Sequence, residues 1–138
     1  MRPARTILLC GEGDLSDLRF CLSHARPASS QACYKVATAK TMVEALTAME
    51  VLEFDLLLCQ LPLTNVDSLL VHVKQKHGAR VTMVLRRGKE DNEVGLLANS
   101  GMTNPARWDI LERIKILTIR KRGPARGFKA RREEICAR

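Results

Sequence analysis

No run of apolar residues in this 138-residue chain approaches the roughly 20 needed to cross a bilayer as a helix. A soluble, cytoplasmic protein with no membrane partner is therefore expected. The five cysteines, at positions 10, 21, 33, 59 and 136, form no CxxC pair and no zinc-holding spacing, and their odd number argues against a disulfide framework. They are expected to be buried thiols in a reducing compartment. Cys10 and Cys59 each end an apolar strand candidate and are expected to lie near one another, which leaves a redox role open. His24, His72 and His77 have no Cys, Asp or Ser partner at a useful spacing, which argues against a catalytic or metal centre built on them. Gly11-x-Gly13 followed by Ser16 is an incomplete dinucleotide fingerprint, and Thr38-Ala39 stands where that fold would want an acidic residue. Nothing in these patterns marks an enzyme.

What the chain does carry is charge, and carries it unevenly. The net charge is +8, of which residues 120 to 138 hold +6 through Arg120, Lys121, Arg122, Arg126, Lys129, Arg131, Arg132 and Arg138 against Glu133 and Glu134. The body is nearly neutral and shows no basic face of the kind that tracks a phosphate backbone. With a hydrophobic fraction of 46%, ordinary for a globular protein, the length suits one domain and a short extension. The expected division is a domain over 1–121 and a basic, flexible C-terminal tail over 122–138, whose Gly123, Pro124 and Gly127 favour disorder.

Along the body, strands and helices alternate. TILLC at 6–10 reads as a first strand rather than a leader, and Leu15, Leu18, Phe20, Cys21 and Leu22 follow with partly helical spacing. ACYKVATA at 32–39 gives a second strand, after which Thr41 caps a helix carrying Met42, Val43, Ala45, Leu46, Met49 and Leu52. DLLLC at 55–59 is a continuous apolar run of the kind buried on both faces of a parallel sheet. Leu69, Leu70 and Val73 then share a helix face, and Gly78 closes that helix. VTMVL at 81–85 is a fourth strand, VGLLANS a short helix stopping near Gly101, and Met102-Thr103 a brief fifth strand. Ile110, Leu111, Ile114 and Leu117 mark a strongly amphipathic last helix. Repeated βα units imply a doubly wound parallel sheet with helices on both faces.

The stretch TAKTMVEALTAMEVLEFDLLLCQLPLTNVDSLL resembles the middle of a response-regulator receiver (CheY-like) domain of bacterial two-component systems. The likeness extends over about residues 5–121 and is most specific at Glu44-Ala45-Leu46, at Phe54-Asp55-Leu56 and at Asp67. It implies a flavodoxin-like five-stranded sheet in the order 2-1-3-4-5. Receivers accept a phosphoryl group on an aspartate at the end of the third strand, and the resemblance puts Gln60 there. An amide oxygen is a poor nucleophile and forms no acyl phosphate.

The other signature positions depart as well. The paired carboxylates that hold Mg²⁺ in receivers correspond to Gly11 and Glu12, too few oxygen ligands for that ion, so no cofactor and no metal are expected. The Thr or Ser at the end of the fourth strand falls on Leu85 or Arg86, the lysine after the fifth strand on Asn104, and the aromatic of that strand on Gly101. The resemblance thus implies a pseudo-receiver with a degenerate phosphoacceptor pocket at Glu12, Gln60, Arg86 and Asn104. Glu12 reads equally as a residue of the first helical turn. Gln60 and Asn104 are expected to hydrogen-bond loop backbone. Arg86 and Arg87 either sit in solvent or fill the pocket, with Arg86 pairing Glu12.

Two function classes follow. One is a phosphorelay signalling module that binds a kinase, regulator or output domain, or a second copy of itself, through the last helix. Its stripe of Ile110, Leu111, Ile114 and Leu117 should be buried, leaving Trp108, Ile116 and Ile119 outward as a partner face. The other is a nucleic-acid-associated regulator in which Arg120, Lys121, Arg122, Arg126, Lys129, Arg131 and Arg132 contact phosphates. The first is the preferred reading.

Overall fold

A computed structural model describes residues 5–25, 33–78 and 80–122, with side chains through Thr118 in the last helix. In chain order the elements are β1 Thr6–Cys10, α1 Ser16–Ser23, β2 Lys35–Ala39, α2 Met42–Val51, β3 Leu56–Gln60, α3 Val66–Lys76, β4 Val81–Arg86, a 3-10 turn Lys89–Asp91, β5 Ser100–Thr103 and α4 Arg107–Arg122. The strands form one parallel sheet in the order β2-β1-β3-β4-β5. This is the flavodoxin-like, CheY-like arrangement expected from the sequence. Of the basic tail expected over 122–138, Arg122 is the last residue of α4, and residues 123–138, including Arg126, Lys129, Arg131 and Arg132, lie outside the described residues.

Strand residues alternate between two cores, as the twofold period of a pleated strand requires. Leu8 and Cys10 of β1, Leu57 and Cys59 of β3 and Val84 of β4 face α2 and α3, meeting Ala45, Met49, Leu69 and Val73. Ile7 and Leu9, Leu56 and Leu58, and Met83 and Leu85 face α1 and α4, meeting Leu18, Leu22, Ile110 and Ile114. The run Leu56–Cys59 is apolar throughout because both of its faces are covered. Cys10 and Cys59 are register partners on adjacent strands, both buried, and a contact between their thiols joins burial in pushing the Cys59 thiol well up. The proximity expected of them is present.

Local chemistry sets the ends of the elements. The Thr41 hydroxyl accepts from the Glu44 N–H at 3.1 Å while Glu44 reaches back to the Lys40 N–H at 2.7 Å, a reciprocal cap that starts α2. At the entry to β3, Asp55 accepts from the Thr6 N–H at 2.8 Å, joining the start of β1 to that of β3. At the exits of the same strands, a side chain at Gly11 would put its Cβ 2.5 Å from the Gln60 carbonyl oxygen. Only a glycine fits there without moving backbone.

The segment VGLLANS differs from expectation: residues 92–99 are turns and bends, and the only helical piece of the β4-to-β5 crossover is the single turn Lys89–Asp91. Gly95 takes a φ of 74°, a left-handed conformation that breaks any helix there. The segment is also anchored sideways. The Asp67 carboxylate accepts from the Gly95 N–H at 2.8 Å, and Asn99 and Thr82 exchange hydrogen bonds of 2.8, 3.0 and 3.1 Å. These anchors hold the backbone where helical bonds would not.

In α4, Ile110 and Ile114 are buried and Leu111 and Leu117 are half-buried, as the stripe requires, whereas Trp108 is 68% and Ile116 50% exposed. Ile114→Glu should leave the chain unfolded, since it places an unpaired carboxylate in a closed apolar core. Ile116→Glu should change stability by no more than about 0.5 kcal/mol. Thermal melts of the two variants followed by circular dichroism check this.

Candidate functional site

Parallel strands direct their carboxyl ends to one edge of the sheet, and in open α/β sheets that edge is where ligands collect. Here it receives Gly11 and Glu12 after β1, Gln60 at the end of β3, Arg86 and Arg87 at the end of β4, and Asn104 after β5. Gln60, Arg86 and Asn104 line one cleft of about 190 Å³ together with Arg87, Pro105 and Arg107. Glu12 stands apart from it. An adjoining cleft of similar size runs from Pro62 and Thr64 to Asp91, and Leu61 and Arg87 border both.

Glu12 lies four residues ahead of α1, not in its first turn. Its N–H donates to the Pro62 carbonyl at 2.9 Å, and its carboxylate accepts from the Thr64 N–H at 2.6 Å. Hydrogen bonds from Thr64, side chain first and then backbone, hold the Glu12 carboxyl below its usual range. Glu12 is thus a clasp between the β1 exit and the β3–α3 loop.

The expected pairing of Arg86 with Glu12 does not form. Arg86 turns instead along the crossover, its Nε donating to the Val94 carbonyl at 2.9 Å and its Nη2 to the Gly95 carbonyl at 3.4 Å. Its guanidinium covers Gly101: a Cβ there would fall 2.2 Å from Nη1. The space beside Gly101 on β5 is thus filled from β4.

Arg87 is occupied with Asp91. The buried Asp91 carboxylate accepts from the Arg87 N–H at 2.8 Å, from Nε at 2.9 Å and from Nη2 at 2.8 Å. These side-chain and backbone bonds hold the Asp91 carboxyl down to about 2 and raise Arg87. Arg107 pairs across to Asp17 of α1. Asp91 and Asp17 carry no sequence signal beyond a charge in a loop or first turn.

Gln60 and Asn104 were expected to hydrogen-bond loop backbone through their side chains, and among the described residues neither side chain has such a partner. The backbone N–H of Asn104 donates to the Arg86 carbonyl at 2.7 Å. Its φ of 49° supplies a different reason for the residue: asparagine tolerates the left-handed region that a lysine would enter at a cost of about 1–2 kcal/mol. The half-buried Gln60 borders the cleft.

At this edge Glu12 is a single carboxylate already held by Thr64, Gly11 has no room for a second, and Gln60 is neutral. Among the described residues no group of three or more His, Cys, Asp or Glu is placed to hold a metal ion. No helix among them is long and apolar enough to cross a membrane. Of the face expected on the last helix, Trp108 and Ile116 are exposed on α4, while the side chains of Ile119, Arg120, Lys121 and Arg122 lie outside those described.

No family model matches the sequence, and no curated protein is significantly similar to it. Solved structures are similar in fold. The signal receiver domain of an HD domain-containing protein from Pseudomonas fluorescens superposes with a TM-score of 0.73 at 17% identity, covering 91% of this chain and 94% of that one. A CheY-like response regulator receiver domain protein from Methanospirillum hungatei gives 0.72 at 21%, covering 86% and 97%. A response regulator receiver modulated diguanylate cyclase from Pelobacter carbinolicus gives 0.68 at 23%, covering 85% and 94%. The fold is therefore that of receiver domains.

Two outcomes follow from the geometry. Asp91 titrates in the folded chain near 2, against about 3.9 when unfolded, so its stabilising contribution is complete above about pH 5 and is lost as pH falls through 2. Urea midpoints measured from pH 5 down to 2 should fall more steeply for the wild type than for Asp91→Asn. Separately, Gly101→Ala should expel the Arg86 guanidinium and cost about 1 kcal/mol. The Arg86 Nε–H resonance should then lose its protection from exchange, and amides 92–99 should exchange faster.

Proposed function

We propose that this chain is a receiver-like signalling module of a two-component phosphorelay, that it is not phosphorylated at the usual position, and that it acts through protein contacts rather than catalysis. The observation that carries this reading is the amide at the end of β3. A strand buried on both faces ends on Gln60, beside a cleft whose charged lining residues are arginines. Transfer of a phosphoryl group needs a nucleophile, a cation to offset the anionic oxygens, and donors placed at the charge that develops. Gln60 supplies no nucleophile, Glu12 alone holds no Mg²⁺, and Arg86 is turned away along the crossover. The partner is a kinase, another regulator or an output domain, or a second copy of the chain, met on the outward face of α4 through Trp108 and Ile116.

Several features favour a fixed conformation. Arg86 bonds the crossover and covers Gly101, Asp67 bonds Gly95, and Asp91 clamps Arg87. A module with these contacts presents one surface whether or not a phosphodonor is present.

The wild-type protein incubated with acetyl phosphate and Mg²⁺ should gain no phosphoryl mass by intact-mass spectrometry under conditions that label an ordinary receiver. A stoichiometric, acid-labile adduct would sink the reading. Gln60→Asp alone should restore little labelling, because Gly11 still excludes the second carboxylate. Robust labelling of that single variant would show that the remaining edge is competent.

A further inference from the structure

At the opposite, amino edge of the sheet lies a recess that the carboxyl-edge site does not use. Val73 and Lys74 of α3, Arg80 ahead of β4, and Leu97 and Asn99 of the crossover border about 60 Å³. The side-chain groups of Lys74, Arg80 and Asn99 that border it offer donors. Asn99 commits its carbonyl oxygen to the N–H and hydroxyl of Thr82, at 2.8 and 3.1 Å, which leaves its amide nitrogen to donate. Lys74 and Arg80 make no ion pair with a carboxylate of the described residues. The Nε of Arg80 is buried without a hydrogen-bond partner, its guanidinium standing 5.7 Å from the centroid of the Phe54 ring. A guanidinium that has no carboxylate of its own is matched best by one.

Leu97 on its border is 46% exposed, Leu96 beside it in the chain 67%, and Val71, one turn before Lys74 on α3, 40%. Aliphatic side chains set around a group of cationic donors match a ligand that carries a carboxylate between aliphatic neighbours. We propose that this recess docks an acidic, aliphatic segment of a partner protein. One Asp or Glu carboxylate enters against Arg80, Lys74 and Asn99, and its neighbours cover Leu96, Leu97 and Val71. The proposal is independent of the phosphorylation state at the carboxyl edge and of the outward face of α4.

The full chain titrated with the blocked peptide Leu-Glu-Leu-Leu-Glu-Leu and followed in ¹H–¹⁵N spectra provides the test. Shifts should centre on the amides of Lys74, Arg80, Leu97 and Asn99, and the peptide with Gln in place of Glu should bind roughly tenfold or more weakly. Arg80→Gln should lose affinity for the Glu peptide by a similar factor, and Leu97→Ser should also weaken it. Should Arg80→Gln fail to fold, Leu97→Ser, at a half-exposed position, and the Gln peptide still decide the matter. Shifts confined to α4, no shifts at all, equal binding of the two peptides, or an unchanged affinity of Leu97→Ser overturns the proposal.

Discussion

The arrangement of the molecule depends on β3 being closed on every side. Leu56, Leu57, Leu58 and Cys59 are each 0% exposed, with β1 and β4 paired along the two edges and helices over both faces. A strand in that position offers nothing laterally, so any polar group it contributes stands at an end. Asp55 at the entry fastens β1 by accepting from the Thr6 N–H, and Gln60 at the exit borders the cleft. The same crowding brings Gly11 against the Gln60 carbonyl and fixes which residue follows β1. Fold and site are thus governed by one packing constraint.

Most of the fold was legible in the sequence because its signals are local. The apolar run at 55–59 requires two covered faces, Thr41 followed by Glu44 forms a reciprocal cap, and the spacing of Ile110 and Ile114 selects the inner face of α4. The crossover from β4 to β5 was misread as a helix. Its periodic Val94, Leu96 and Leu97 mimic one, while the forces that shape it are long-range: the carboxylate of Asp67 on Gly95, the guanidinium of Arg86 on two carbonyls, and the exchange between Asn99 and Thr82. No window of sequence contains both partners of the Asp67 contact.

The site was legible in position and less so in its contacts. Gln60, Arg86 and Asn104 do gather at one cleft, but the sequence pattern has no means of telling that Arg86 prefers the carbonyls of residues 94 and 95 to the carboxylate of Glu12. Burial decides between the two. A half-buried guanidinium along the crossover gives the Val94 carbonyl its donor and joins the Ala98 N–H at the Gly95 carbonyl, whereas Glu12 already has the Thr64 N–H. Asn104 looked like a lost lysine and is also a backbone choice, set by its left-handed φ. A change that reads as a loss of chemistry can be required by conformation as well.

The crossover has one further consequence, for the mechanics of the sheet. β5 has four residues, is paired to β4 alone, and buries only Ser100 fully and Met102 in part. With no α-helix over the segment leading into it, the strand hangs from β4 and from a few side-chain ties rather than from a broad apolar layer. Opening free energy scales with the apolar surface and backbone bonds that must be given up. β5 therefore has less apolar surface and fewer backbone bonds to give up on opening than β1, β3 or β4, which lie between the two cores.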